Sequence, residues 1–305
     1  MQRFRILSSD GKTQLAAYAI IPEKPIVMVQ ISHGMCEYFE RYQAFGEYLA
    51  SRGVLVFGHD HLGHGHSAPT HDDLGFTAHG GGAELLVRDV YGLSKHMKEQ
   101  YPTLPLILFG HSMGSFIARA VLEEHASLYK AAVICGTGGP DTPAGAGKLL
   151  ATLMMVFKGE RHRSKLLKSI AFAGYNKRFE KGCDKNAWLT RDVAVVERYN
   201  ADPFCTYSFT LRAYHDLFTL VSCVSRKAWA GKLPKDLPLL LVSGAEDPVG
   251  TWGKGVQKVA KRLQEAGIAD LTLRLYPDMR HEILNEIDYE TVWSEIAEWM
   301  EQKQS

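Results

Sequence analysis

Ser112 stands between two glycines in Pro105-Leu-Ile-Leu-Phe-Gly-His-Ser-Met-Gly114, after an apolar run and before a helix-like stripe of Phe116, Ile117, Ala120 and Val121. This is the G-x-S-x-G pattern at a strand-to-helix turn. It presents a hydroxyl in a strained elbow, where a Cβ on either glycine would strike neighbouring backbone. The chemistry it suggests is nucleophilic attack. A hydroxyl is a weak nucleophile near neutral pH, so it requires a base, and the base requires an orienting acid. Behind such an elbow the partners follow in the order acid, then histidine. There are 13 histidines, but His281 is the only one after residue 250. Asp247 directly follows Leu239-Leu-Leu-Val-Ser-Gly-Ala-Glu246, at the carboxyl end of a strand-like run where functional residues of open α/β sheets gather. Glu246 and Asp278 are rivals for the acid, and Asp247 could also cap a helix starting at Trp252. The developing oxyanion needs N–H donors. The amide of Met113 follows the nucleophile, and the amide of Met35 lies in the turn opened by His33-Gly34.

The elements that must position these groups alternate along the chain. Arg3 to Ser9 and Thr13 to Ile21 read as a hairpin about Asp10-Gly11. Strands are expected over Ile26–Ser32, Val54–Phe57, Pro105–Phe109, Ala131–Cys135, Leu237–Ser243 and Leu271–Tyr276. Helices are expected over Arg41–Arg52, Ala83–Gln100, Ser115–His125, Trp252–Ala266 and Tyr289–Met300. This order predicts an α/β fold: a mostly parallel central sheet with an antiparallel N-terminal entry and helices on both faces. Between Gly136 and Pro234 the alternation stops, leaving helix-like segments at Lys148–Phe157, Lys165–Ala171 and Ser208–Leu220. We read residues 1–136 and 234–305 as one core domain and 137–233 as a helical insertion over its catalytic face.

Composition narrows the partners. With 35 Lys+Arg against 34 Asp+Glu, the net charge of +1 offers no global field for nucleic acid. The first residues lack a secretory apolar run, and nowhere do about 18 apolar residues stand together, so a cytoplasmic protein is expected. The five cysteines are scattered without a C-x-x-C pair, which suggests reduced thiols and no zinc site. Neither a metal nor an organic cofactor is required by acyl transfer through a serine.

Four blocks carry a family resemblance: His33-Gly-Met-Cys-Glu37 with Arg41-Tyr42, Asp60-His-Leu-Gly-His-Gly-His-Ser67, Gly110-His-Ser-Met-Gly114, and Gly244-Ala-Glu-Asp247 with His281-Glu282. The chain resembles the monoacylglycerol lipase and lysophospholipase branch of the α/β-hydrolases, sometimes grouped with serine aminopeptidase-like hydrolases. The resemblance implies the α/β-hydrolase fold, Ser112, Asp247 and His281 as a triad, and Met35 and Met113 as oxyanion donors. It makes the second block structural, so His61, His64 and His66 are not expected to bind metal. It also implies that the insertion is a cap that sets substrate choice. Tyr38 stands where the family commonly has a histidine, and Ser115 where it commonly has a further glycine; Tyr38 is expected at the pocket mouth.

Within the insertion, Leu149-Leu-Ala-Thr-Leu-Met-Met-Val-Phe157 is apolar almost all round but too short to span a bilayer. It could line an acyl tunnel, dip into a lipid surface, or pack on the main domain. The following Lys158 to Lys168 holds five basic residues and one acid, a solvated face or an attraction for anionic headgroups. Tyr207 and Tyr214 are expected to close over the site. Cys36, beside a proposed donor, reads first as a small hydrophobe. The expected substrate is a small-molecule ester, an acyl lipid, with peripheral membrane contact through the cap. Two alternatives stay open: an amidase or aminopeptidase of the same fold, and a binding protein without turnover. Acyl-chain length, headgroup and oligomeric state are not readable.

Overall fold

The structure, a computed structural model, describes residues 1–304. Eight strands form one sheet: β1 Gln2–Leu7, β2 Gln14–Ile20, β3 Val27–Ser32, β4 Val54–His59, β5 Leu106–His111, β6 Ala131–Cys135, β7 Leu239–Gly244 and β8 Leu271–Tyr276. Their order is β1-β2-β4-β3-β5-β6-β7-β8. The first two pairings, β1 with β2 and β2 with β4, are antiparallel, and every later pairing is parallel. This is the architecture expected from the alternating pattern.

Every residue of β3, β4, β5, β6 and β7 is buried, which is why these strands read as continuous apolar runs. Five helices cover the sheet: α1 Gln43–Ser51, α2 Gly82–Gln100, α3 Met113–His125 and, after the insertion described below, α9 Lys254–Glu265 and α10 Tyr289–Glu301. On one face Phe45 and Leu49 of α1 and Ile296 and Trp299 of α10 pack with Val29, Phe109 and Val133. On the other, Val90, Ile117 and Leu263 from α2, α3 and α9 pack with Met28, Leu108 and Leu241. The sheet is therefore dry on both sides, and its parallel strands end together at one edge.

Between β6 and β7 the described residues hold helices only: α4 Ala144–Lys158, α5 Lys165–Ala171, α6 Val193–Ala201, α7 Leu211–Val224 and α8 Lys227–Gly231. Thr210, Asp192 and Ser164 cap α7, α6 and α5 through their side chains. The α7 carboxyl end is held by three arginines: Arg119 Nη2 donates to Val224 O at 2.6 Å, Arg262 Nη1 to Ser225 O at 2.5 Å, and Arg226 Nε to Cys223 O at 2.9 Å. Cations there complement the partial negative charge of the helix end. Helix α4 rests on α7, with Gly147 against the Phe218 ring.

Boundaries differ from the sequence reading where local geometry intervenes. Helix α9 starts at Lys254 rather than Trp252, because Thr251, Trp252 and Gly253 all take positive φ. Helix α7 runs three residues later than expected at its start because Thr210, not Ser208, supplies the cap. Helices α6 and α8 were not anticipated. The hairpin turn is longer than Asp10-Gly11 alone: Asp10 Oδ1 accepts from Lys12 N and Thr13 N, and Gly11 takes φ 76°.

Candidate active site

Strand β5 delivers Ser112 into a turn with φ 53° and ψ −120°, a conformation that non-glycine residues rarely adopt. The turn is locked on both sides. Ser112 N donates to Cys135 O at 3.0 Å, and a Cβ on Gly114 would collide with the Ser32 carbonyl, while one on Gly110 would collide with the Gly114 carbonyl. Both glycines are thus required by close approach. Ser112 is half-buried and opens onto a cavity of about 840 Å³.

Asp247 is fully buried just past β7. Its Oδ1 accepts from Val249 N at 2.8 Å and its Oδ2 from Ser243 Oγ at 3.1 Å. His281 Nδ1 stands 3.0 Å from Asp247 Oδ1, at hydrogen-bond distance but with the N–H off the ideal line. The two rivals lie elsewhere. Glu246 faces Arg178 at 3.3 Å, and Asp278 is exposed in a turn with φ 58°. Asp247 does not cap α9, whose N-cap is Gly253. His281 itself is enclosed: its backbone N donates to Trp188 O at 3.3 Å, and its ring centroid lies 5.0 Å from Trp188 and 4.8 Å from His111. Ser112 and His281 line the same cavity without a direct hydrogen bond among the described residues, a contact that commonly tightens only when substrate binds.

The amides of Met35 and Met113 donate to no acceptor among the described residues. Met113 opens α3, so the positive end of that helix adds to its N–H. The loop carrying Met35 is pinned by Glu37, whose Oε1 accepts from Gly34 N in a short contact. Glu37 then ties together groups far apart in sequence. It accepts from Tyr42 OH at 2.8 Å and from Arg41 Nη1 at 3.0 Å, and lies 3.1 Å from His111 Nδ1. Arg41 is bidentate to Glu282, at 2.7 Å on each oxygen, and Glu282 follows His281. Burial opposes charge on Glu37, but hydrogen bonding from His111 and the charges of His111 and Arg41 prevail and hold it well below the usual carboxylate range. Burial likewise opposes charge on His111, yet Glu37 raises it. One buried network therefore braces the Met35 loop, the residue before Ser112 and the residue after His281.

His61 and His64 of the second block pack, with tilted rings, against His33 of this loop. His33 and His61 have ring centroids 4.1 Å apart, and His61 N donates to His33 Nε2 at 2.9 Å. Burial, with mutual repulsion, lowers His33 to about 3, and burial lowers His64 to about 4, so both are neutral near neutral pH. His66 sits apart, half-exposed beside Glu40. No cluster of three metal-binding side chains occurs among the described residues.

The cavity wall is apolar where Phe116, Leu217, Phe218 and Val221 meet, and Tyr207 and Tyr214 line it with hydroxyls that have no partner among the described residues. Tyr38 does not line it. Its hydroxyl donates to Asp202 Oδ2 at 2.7 Å and its ring packs on Phe204, so it fastens the insertion to the core instead. Tyr199 takes the position by the Met35 loop, donating to Cys36 O at 3.1 Å. Burial pushes the Cys36 thiol up to about 12, the behaviour of a small hydrophobe. Sequence reasoning assigned no role to Glu37, Arg41, Trp188 or Tyr199. The four-residue spacing of Glu37 and Arg41 was the one available signal, since it marks a local ion pair.

Comparison with known proteins gives a consistent set of relatives. The family model for serine aminopeptidase, S33 matches residues 23–288. The human monoglyceride lipase is 27% identical over 302 residues, covering 98% of this chain and 90% of the relative. A monoacylglycerol lipase of Mycolicibacterium smegmatis is 28% identical over 280 residues, covering 90% of this chain and 88% of the relative. The structure of a thermostable carboxyl esterase from Bacillus coagulans in complex with glycerol superposes with a TM-score of 0.93 at 28% identity, covering 100% of this chain and 99% of that one.

Proposed function

The chain belongs to the serine aminopeptidase, S33 family, and from that premise we propose that it is a carboxylic ester hydrolase of the monoacylglycerol lipase type, with Ser112 as nucleophile. The observation that carries the reading is the meeting of Ser112, His281 and two unused amides at the floor of one largely apolar cavity, with Asp247 behind the imidazole. Ser112 Oγ attacks the ester carbonyl while His281 Nε2 takes its proton, and Asp247 stabilises the imidazolium. The Met35 and Met113 amides receive the oxyanion. The intermediate collapses to an acyl-enzyme as His281 protonates the departing alcohol, and water then repeats the sequence to release the acid.

In this reading residues 137–233 are a cap on a core formed by 1–136 and 234–305, and the acyl chain lies along Phe116, Leu217, Phe218 and Val221. No described helix is long and apolar enough to cross a membrane. Helix α4 nevertheless exposes Leu149, Leu153, Val156 and Phe157, and α5 exposes Leu166 and Ile170, a surface suited to peripheral contact with lipid. The five free cysteines fit a reducing, cytoplasmic setting.

An aminopeptidase would need a carboxylate free to anchor the substrate ammonium. The carboxylates lining the cavity, Glu37 and Glu282, are both bound to Arg41, and the exposed charges on the lining are lysines. Release of acid from monoacylglycerols, compared with release of arylamine from aminoacyl arylamides, tests the choice. Faster turnover of the arylamides would overturn it, and failure of a fluorophosphonate to label Ser112 would overturn the serine mechanism.

A further inference from the structure

Charge is distributed very unevenly along this chain. Residues 158 to 185 contain nine Lys or Arg and three Asp or Glu, in a protein whose total is only +1. All three arginines in this stretch are engaged: Arg161 with Asp73, Arg163 with the carbonyls of Asp72, Leu74 and Ser208, and Arg178 with Glu246. None of the six lysines in the stretch pairs with a carboxylate among the described residues, and four of them border the cavity. Lys165, Lys168, Lys177 and Lys185 are exposed, line the cavity that holds Ser112, and have no carboxylate within ion-pair distance among the described residues. Lys168 Nζ donates to Ser208 Oγ at 3.1 Å, and its charge reaches Cys36, the neighbour of Met35. Lys177 Nζ stands 4.2 Å from the Trp252 ring centroid. The rim is thus cationic while the inner wall is apolar.

An ester bound at Ser112 divides at its carbonyl. The acyl half requires the apolar wall, so the alcohol half faces the rim. Four like charges at one opening repel one another, and an anion between them relieves that repulsion while staying hydrated. We propose, resting on the ester-hydrolase reading, that the Lys165, Lys168, Lys177 and Lys185 rim binds a phosphate on the alcohol portion of the substrate, so that the enzyme prefers a monoacyl ester of a phosphorylated alcohol to its neutral counterpart. The chemistry at Ser112 is unchanged. The acyl C–O bond breaks, the alcohol leaves with the proton held by His281, water supplies the acid, and the phosphate ester stays intact.

The test compares 1-decanoylglycerol with 1-decanoylglycerol 3-phosphate, each as monomers below its critical micelle concentration, in wild type and in the fourfold K165Q/K168Q/K177Q/K185Q variant. The readout is the ratio of the two kcat/KM values, which a general loss of activity leaves alone. We expect a ratio of about tenfold in favour of the phosphorylated ester, the size a few exposed charge pairs can supply together. It should fall close to one in the glutamine variant and persist in the corresponding fourfold arginine variant. A wild-type ratio near or below one, or a ratio untouched by the glutamines, overturns the proposal. So does a variant that loses binding to phosphatidylglycerol vesicles while its ratio on monomers stands, since the rim then serves a lipid surface. Cleavage of the neutral ester alone overturns only this inference, whereas failure on both esters overturns the ester reading as well.

Discussion

The sheet and the helical insertion treat apolar side chains in opposite ways. Strands β3 to β7 bury every residue, whereas α4 leaves Val156 76% and Phe157 85% exposed while its other face packs on α7. The difference follows from what each region must do. On the proposed mechanism Ser112, His281 and the two amides have to be held to within a fraction of an ångström, and a dry, doubly covered sheet with locked turns gives that rigidity. On the proposal that residues 137–233 are a cap, a region that meets substrates of different shape gains from looser packing. Its polar anchors to the core include the arginines around the α7 terminus, the Tyr38–Asp202 bond and the Trp188 and Leu189 carbonyls that accept from His281 N and Glu282 N.

If that division holds, changes in the core should cost orders of magnitude in rate or several kcal/mol, and changes on the outer face of the insertion far less. The largest effect is expected for Ser112→Ala, a fall in kcat on the order of 10⁶ by analogy with a serine protease; ester turnover persisting in the purified variant would remove the nucleophile assignment. Asp247→Asn should lower kcat by about 10⁴. Glu246→Gln is the matched control, and a greater loss there would transfer the acid role. Arg41→Met leaves Glu37 and Glu282 buried without their cation, so unfolding in denaturant should come earlier by about 3–5 kcal/mol. Both carboxyls are held below their ordinary value in the folded protein. The stability they add is therefore present above the ordinary carboxylate range and is lost as pH falls through the folded values. A wild-type melting midpoint that does not decline on acidification would contradict the network. The smallest effect on stability is expected for V156E/F157E on α4, within about 0.5 kcal/mol. Sedimentation with lipid vesicles should nevertheless show weaker partitioning by roughly tenfold, from the loss of one buried aromatic side chain. Equal partitioning would mean that this face does not meet lipid.

Some of this was readable from residue order. The apolar runs of the central strands identify themselves because both faces are covered, and a single histidine downstream of residue 250 leaves one candidate for the base. Tyr38 was misplaced because a side chain in a loop has no periodicity, and its direction depends on Asp202, far along the chain. The true start of α9 was hidden by three consecutive positive-φ residues, of which only Gly253 announces itself. In the insertion, α6 and α8 are short helices whose apolar faces are too brief to show a stripe.

The sequence by itself determined the alternating architecture, the elbow at Ser112 and the order of its candidate partners, because each is encoded by neighbours in the chain and by backbone sterics. Only the tertiary structure decided which carboxylate faces His281, how Glu37 and Arg41 join the Met35 loop to Glu282, and which lysines border the cavity. Those contacts join residues as much as 241 positions apart, and nothing local specifies them. They exist because burying a charge demands a partner, and the fold alone determines which partner is within reach.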